Sequence, residues 1–294
     1  MRPPACCLIV ALTAMTGLAL GAQSPDLSFR TGVDSVLLTV SVKDSGRLVL
    51  NLSAKDFEVR DNNVVQAFEV SAPETLPIDI TLIADVSGSA RGPVLDSLTR
   101  ALNSVGGHLR PQDRASLVTF NHRVREVRPL TAGWTPVTFA AGEGPTALFD
   151  ATTAALITDP EAGRRRMAIL LTDGNDTASF VDGSTLVDVA KRADTSVFVI
   201  AVTGGTAKAP RRTPYEALFQ SLTQSTGGTL TTLQADQEIG SAFDKAFEQF
   251  GTSYVLRYTY KGPATKGWHP ISVRVLRRGT YEVGTRDGYF VGGE

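Results

Sequence analysis

Three largely apolar, β-branched runs, each ending in a polar loop, constrain this chain most. They span Ile78 to Ala84, Met167 to Thr172 and Ser196 to Val202. A further run, Ala115 to Phe120, reads the same way. Between the runs, apolar residues recur at helical spacing: Val94, Leu95, Leu98, Leu102 and Val105, then Ala147 to Ile157, then Leu186, Val187 and Ala190. Ala217, Leu218 and Leu222 mark another helix, which ends at Gly227-Gly228, where a left-handed backbone is needed. A short strand near Leu230 and a last helix carrying Ile239, Phe243, Phe247 and Phe250 complete the series. Strands alternating with helices, the central strands apolar on both sides, predict an α/β fold: a doubly wound, mostly parallel sheet covered on both faces, over about residues 76 to 250.

On either side the helical period disappears. Residues 26 to 75 hold Val36 to Val42, a turn at Asp44-Ser45-Gly46, and two runs, Phe57 to Val59 and Ala67 to Val70, flanking Asp61-Asn62-Asn63. Residues 253 to 291 hold the alternating runs Tyr254 to Tyr260 and Ile271 to Val275, a turn at Gly279-Thr280, and Tyr289-Phe290-Val291. Each piece is small for an independent sheet. The economical expectation is one small β-sandwich formed by N- and C-terminal strands, with the α/β domain inserted between its halves. Gly251, between the last helix and the last strands, is either the helix cap, which the composition favours, or a hinge through which that helix moves.

The first 22 residues carry Arg2, then an uncharged apolar run from Leu8 to Leu20, then small residues at Gly21-Ala22. That is the layout of a secretory signal peptide cleaved near Ala22, so the mature chain is expected to be secreted or periplasmic. The run is shorter than the ~20 residues needed to cross a bilayer, and no second one follows, so no transmembrane segment is expected in the mature chain. Cys6 and Cys7 are the only two cysteines and both precede Gln23, which leaves no disulfide or thiolate chemistry afterwards. With 42% hydrophobic and 20% charged residues and a formal net charge of -1, the 294-residue chain has an ordinary globular composition. Arg164-Arg165-Arg166 and Arg211-Arg212 are too short to mark a nucleic-acid surface and read as solvated faces.

Chemistry concentrates where strands end. Asp85-Val86-Ser87-Gly88-Ser89 follows the first central strand directly. Thr146 lies in Gly144-Pro145-Thr146-Ala147 just ahead of a helix, and Asp173 follows the strand ending at Thr172. The carboxyl ends of strands are the rim where open α/β sheets bind ligands. Asp85, Ser87, Ser89, Thr146 and Asp173 supply only oxygen, a hard-cation set without imidazole or thiolate. Taken singly each fragment is ordinary, since Ser and Asp cap helices and Asp-Gly makes turns. Taken in order, each at a strand end, they predict a metal site.

This split set resembles the metal-ion-dependent adhesion site of von Willebrand factor A domains, a Rossmann-like fold, at all five positions. The outer segments, with Leu52 to Val59 on one side and Arg286 to Phe290 on the other, resemble those of bacterial secreted proteins related to that domain. The resemblance implies that Ser87, Ser89 and Thr146 bind Mg2+, or Mn2+ or Ca2+, through their hydroxyls, while Asp85 and Asp173 act partly through water. It implies an electrophilic ion that takes a carboxylate from a protein partner, hence a metal-dependent, adhesion-type module. Ala90-Arg91-Gly92-Pro93 departs from the methionine and glycine common after the motif. Two rival readings stay open. One is an envelope-assembly module that the metal only stabilises. The other is a metal-dependent hydrolase, which would usually want a second acid where Ser87 stands. His108, His122 and His269 lie in no catalytic motif, no Gly-x-Ser-x-Gly elbow occurs, and His269, beside Trp268, reads as a turn or surface residue.

Overall fold

The computed structural model describes residues 35–292, apart from 89, 141–142, 159–160, 205–210, 236 and 264. The apolar N-terminal run and its cleavage site lie outside the described residues, as does Ser89. The described residues begin with five strands: β1 (Val36–Asp44), β2 (Arg47–Leu48), β3 (Phe57–Asp61), β4 (Val64–Gln66) and β5 (Glu69–Ser71). Then strands and helices alternate: β6 (Ile78–Asp85), α1 (Pro93–Ser104), β7 (Arg114–Phe120), β8 (Val124–Ala132), α2 (Leu148–Leu156), β9 (Arg165–Thr172), α3 (Gly183–Arg192), β10 (Ser196–Thr203), α4 (Glu216–Thr226), β11 (Leu230–Gln234) and α5 (Ile239–Thr252). Four strands close the chain: β12 (Tyr254–Tyr258), β13 (Gly267–Val275), β14 (Tyr281–Gly284) and β15 (Gly288–Val291).

The middle strands form one sheet in the order β11-β10-β9-β6-β7-β8, parallel except for β8, which runs antiparallel to β7 at the edge. Side chains alternate along each strand, so Leu82 and Ile83 of β6 enter opposite cores. Leu82 packs with Leu98 and Leu102 of α1 and Phe243 of α5. Ile83 packs with Leu148 of α2, Leu186 of α3 and Phe219 of α4. From central β6 the chain goes first to β7 on one side and later to β9 on the other. The sheet's topological switch point therefore falls at the carboxyl end of β6.

The outer strands interlock. β1 pairs with β12 through Val36–Val40 and with β14 through Ser41–Asp44, while β3 pairs with β13. The resulting sheets, β14-β1-β12-β5 with β2 beside β1, and β15-β13-β3-β4, share one apolar cluster that includes Leu38, Val40, Phe57, Val59, Leu256 and Val273. Each sheet takes strands from both ends of the chain, so neither terminal segment can complete its pairing without the other. Gly227 ends α4 in the left-handed region, and a Cβ on Gly228 would overlap the Val197 carbonyl of β10.

Three expectations need correction. Arg165 is not a solvated face: it is 1% exposed, because its guanidinium donates to the Phe250 carbonyl in the last turn of α5 and lies 4.2 Å over the Phe250 ring. His269 is not a surface residue. It sits buried in β13, with Nδ1 3.1 Å from Asp61 Oδ1 and Nε2 2.9 Å from Thr265 Oγ1, while Asp61 Oδ2 accepts the hydroxyls of Tyr258 and Tyr289 at 2.8 Å each. Gly251 is not the cap: α5 continues through it to Thr252 and Ser253 takes the cap position. Among the described residues, no helix is long and apolar enough to cross a membrane.

Candidate metal centre

β6 delivers Asp85 to the rim at the switch point. The register pairs Asp85 with Phe120 of β7 and Ala84 with Leu171 of β9, so Thr172 and Asp173 emerge beside Asp85. On the other flank, Asn121 follows β7 and its carbonyl accepts the Ala147 N–H at 2.7 Å, which holds neighbouring Thr146 at the same rim. Three loops thus bring Asp85, Ser87, Thr146 and Asp173 to one edge of the sheet. Ser87 and Asp173 each act on Asp85, and the Ala147–Asn121 hydrogen bond anchors the backbone next to Thr146.

Asp85 is 2% exposed. Its Oδ1 accepts the Ser87 N–H at 2.9 Å and its Oδ2 accepts the Thr172 hydroxyl at 3.1 Å. The same Thr172 oxygen accepts the Gly174 N–H at 3.0 Å, which couples the turn after Asp173 to the carboxylate of Asp85. Burial pushes the Asp85 carboxyl up to about 6; the neighbouring Asp173 charge adds to this, while hydrogen bonds from Ser87 and Thr172 oppose it. Among the described residues no arginine or lysine forms an ion pair with Asp85. A buried carboxylate normally has a cationic partner or gives up its charge. A divalent cation would supply that charge, and the oxygens of Ser87, Thr146 and Asp173 fit a hard ion. Among the described residues no group of three or more His, Cys, Asp or Glu side chains is placed to hold a metal, which sets this site apart from carboxylate-rich ones.

The loops are tied down by residues that the sequence reading did not single out. α2 begins without a capping side chain of its own, so its first N–H groups need outside acceptors. Asp176, from the Asp173 loop, accepts the Leu148 N–H at 2.8 Å, and Ser179 Oγ accepts those of Phe149 and Asp150 at 3.0 and 3.1 Å. In return Asp150 accepts the N–H groups of Phe180 and Val181. Thr177 bonds Thr146 in both directions, its hydroxyl accepting the Thr146 N–H and its own N–H donating to the Thr146 carbonyl, at 2.9 Å each. Gly174 has φ +85° against Thr213, where a Cβ would collide with the threonine side chain. The loop so held presents Phe180 fully exposed. The lacing meets a local need: Ala147 takes the N-cap position of α2 and has no side-chain acceptor to offer.

The sequence pattern of the von Willebrand factor type A domain matches residues 79–245, more than half of the chain, and the protein belongs to this family. No curated protein matches it. Among solved structures it is similar to an aerotolerance-related membrane protein from Bacteroides fragilis, at 18% identity over 59% of this chain and 98% of that chain, with a TM-score of 0.44. It is similar at the same TM-score of 0.44 to BatB from Bacteroides thetaiotaomicron, at 18% identity over 58% of this chain and 96% of that chain. The ArnB paralog VWA2 from Sulfolobus acidocaldarius shares 12% identity over 86% of this chain and 76% of that chain, with a TM-score of 0.47. The family assignment rests on the sequence match alone.

Proposed function

We propose that this protein is an exported, metal-dependent protein-binding module. In this reading Asp85, Ser87, Ser89, Thr146 and Asp173 hold one divalent cation, Mg2+ first and Mn2+ or Ca2+ as substitutes, and a partner protein presents a carboxylate to it. The observation that carries the reading is Asp85: a buried carboxylate at the switch point, acted on by a second carboxylate and, among the described residues, in no ion pair with a cationic side chain. When bound, the cation supplies a positive centre that an outside oxygen can approach. The residues around it do the rest. Ser87 and Thr172 fix both oxygens of Asp85, and Asn121 and Thr177 hold the backbone on which Thr146 stands. Phe180, unburied on a pinned loop, offers a pre-ordered aromatic anchor beside the site, the kind of residue that dominates interface energetics.

The division of labour follows. Residues 76–250 carry the site, and residues 26–75 with 253–291 form the frame; residues 1–22 direct export. The family membership supports an interaction role, and the carboxylate-bearing partner is the finer part of the proposal. Immobilised protein loaded with Mg2+ and washed with chelator tests it. The expected result is a defined set of proteins released by chelator and absent from a matched Asp173→Ala column, with that variant still folded. Identical profiles from both columns would favour a metal that stabilises the fold without engaging a partner.

A further inference from the structure

At the opposite end of the sheet, where β9 and β10 begin, a cleft separates the α/β layers from the outer strands. Its wall carries Arg164, Arg165, Lys191, Asp194, Thr195 and Arg286 among others. Arg164 is taken up by Asp79 at 2.7 Å. Arg165 has no carboxylate within ion-pair distance among the described residues, although it is 1% exposed. Among the described residues its Nη1 has no hydrogen-bond partner, and neither do Arg286 Nε and Thr195 Oγ1. Three buried polar atoms without partners therefore line one cleft. Each such group is costly to leave unsatisfied in a buried setting.

The groups already facing Arg165 do not neutralise it. The Phe250 carbonyl and ring, and Thr39 Oγ1 at 3.4 Å, are uncharged. Burial, with Arg110 adding repulsion, pushes its guanidinium down to about 10, and the Asp113 charge offsets only part of this. Asp194 lies in the same wall but is engaged by Arg286 Nη1 at 2.7 Å. A buried arginine is normally matched by an anion, and a guanidinium presents a planar fork that suits two oxygens of one oxyanion.

We propose that this cleft binds a small inorganic oxyanion, phosphate or sulfate, held between Arg165 of the α/β layers and Arg286 of the outer strands, with Thr195 donating its hydroxyl. The anion joins the two parts of the molecule at the end away from the candidate metal centre. Its binding is therefore independent of metal, and the two readings stand or fall separately.

The test is calorimetric titration of the whole chain with sodium phosphate at pH 7, in chelator, with sodium chloride holding ionic strength constant. The expected result is one site per chain with a Kd of about 1 mM or tighter, displaced by sulfate. Arg286→Met should weaken binding at least about tenfold, the value of one charge-assisted hydrogen bond. Asp194→Asn, which removes the competing carboxylate, should tighten it, an effect that a purely structural role for these residues does not produce. Arg165→Met should abolish binding where it folds. Phosphate binding that Arg286→Met leaves unchanged, or a response that chloride reproduces, overturns the proposal and leaves water as the partner of Arg165.

Discussion

At the scale of single residues, Asp85 makes a signed prediction. Its folded-state carboxyl lies at about 6 without metal, above the ~3.9 of an unfolded chain. For an acid shifted upward, folding favours the protonated form, so stability is lost as pH rises from about 4 to about 6. The difference is on the order of 3 kcal/mol. Asp113 acts in a different window. Burial alone would raise its carboxyl, but Arg110 and the N–H groups of Arg110 and Ile78 outweigh burial and lower it, so its contribution is lost only under stronger acid. In chelator, the chain should therefore melt several degrees higher at pH 5 than at pH 7. Asp85→Asn should remove that difference and raise the metal-free melting temperature at pH 7. Thermal melts of both proteins across this range check it, and an unchanged pH profile in the variant would show that Asp85 is not the titrating group. Asp61 gives a second residue-level case. Asp61→Ala strands the hydroxyls of Tyr258 and Tyr289 and one nitrogen of His269 in the core. Urea denaturation should show a loss of about 3–5 kcal/mol, and a loss under 1 kcal/mol would mean that water satisfies these groups.

At the scale of elements, helix α2 depends on a loop more than 25 residues further along the chain. Asp176→Ala removes its borrowed cap, which should cost about 1–2 kcal/mol. It should also weaken cation binding, because the same loop carries Asp173 and grips Thr146. Chemical denaturation and metal titration on the one variant check both effects; a stability loss with unchanged metal affinity would separate cap from site. The elements also mark what could be read in advance. The central strands and most helices were legible because their apolar periods are strong and their loops polar; of the expected donors, Asp85 and Asp173 stand where β6 and β9 end, whereas Thr146 stands just ahead of α2. Strand β8 was not foreseen. It is exposed along nearly its whole length, so Val124, Val127 and Leu130 follow no alternation, and Pro129 interrupts it. The borrowed cap was invisible for a related reason: its acceptor and donors are distant in sequence and meet only in the fold.

At the scale of the whole molecule, polar residues join the parts. Arg165 ties the start of β9 to the end of α5 and to β1, and Asp61 joins β3 to β12, β13 and β15. In the sequence these residues look like members of a charged triplet and of a turn, because burial of a charged group is decided by partners up to 228 positions away. The interlocked pairing of β1 with β12 and β14 predicts that unfolding of the frame is a single event involving both ends of the chain. Removing β14 and β15 should therefore expose β1 as well. Amide exchange over Val36–Asp44 checks this, and retained protection there would show that β1 and β12 suffice.

In the proposed function Asp85 belongs to a cation site. Its most direct test is calorimetric titration of metal-stripped protein with Mg2+, then Mn2+ and Ca2+, beside Asp85→Ala and Asp173→Ala. Saturable binding of one ion per chain is expected, lost in both variants while their circular dichroism stays unchanged. Binding that survives in Asp85→Ala, or no saturable binding of any of the three ions, would contradict it.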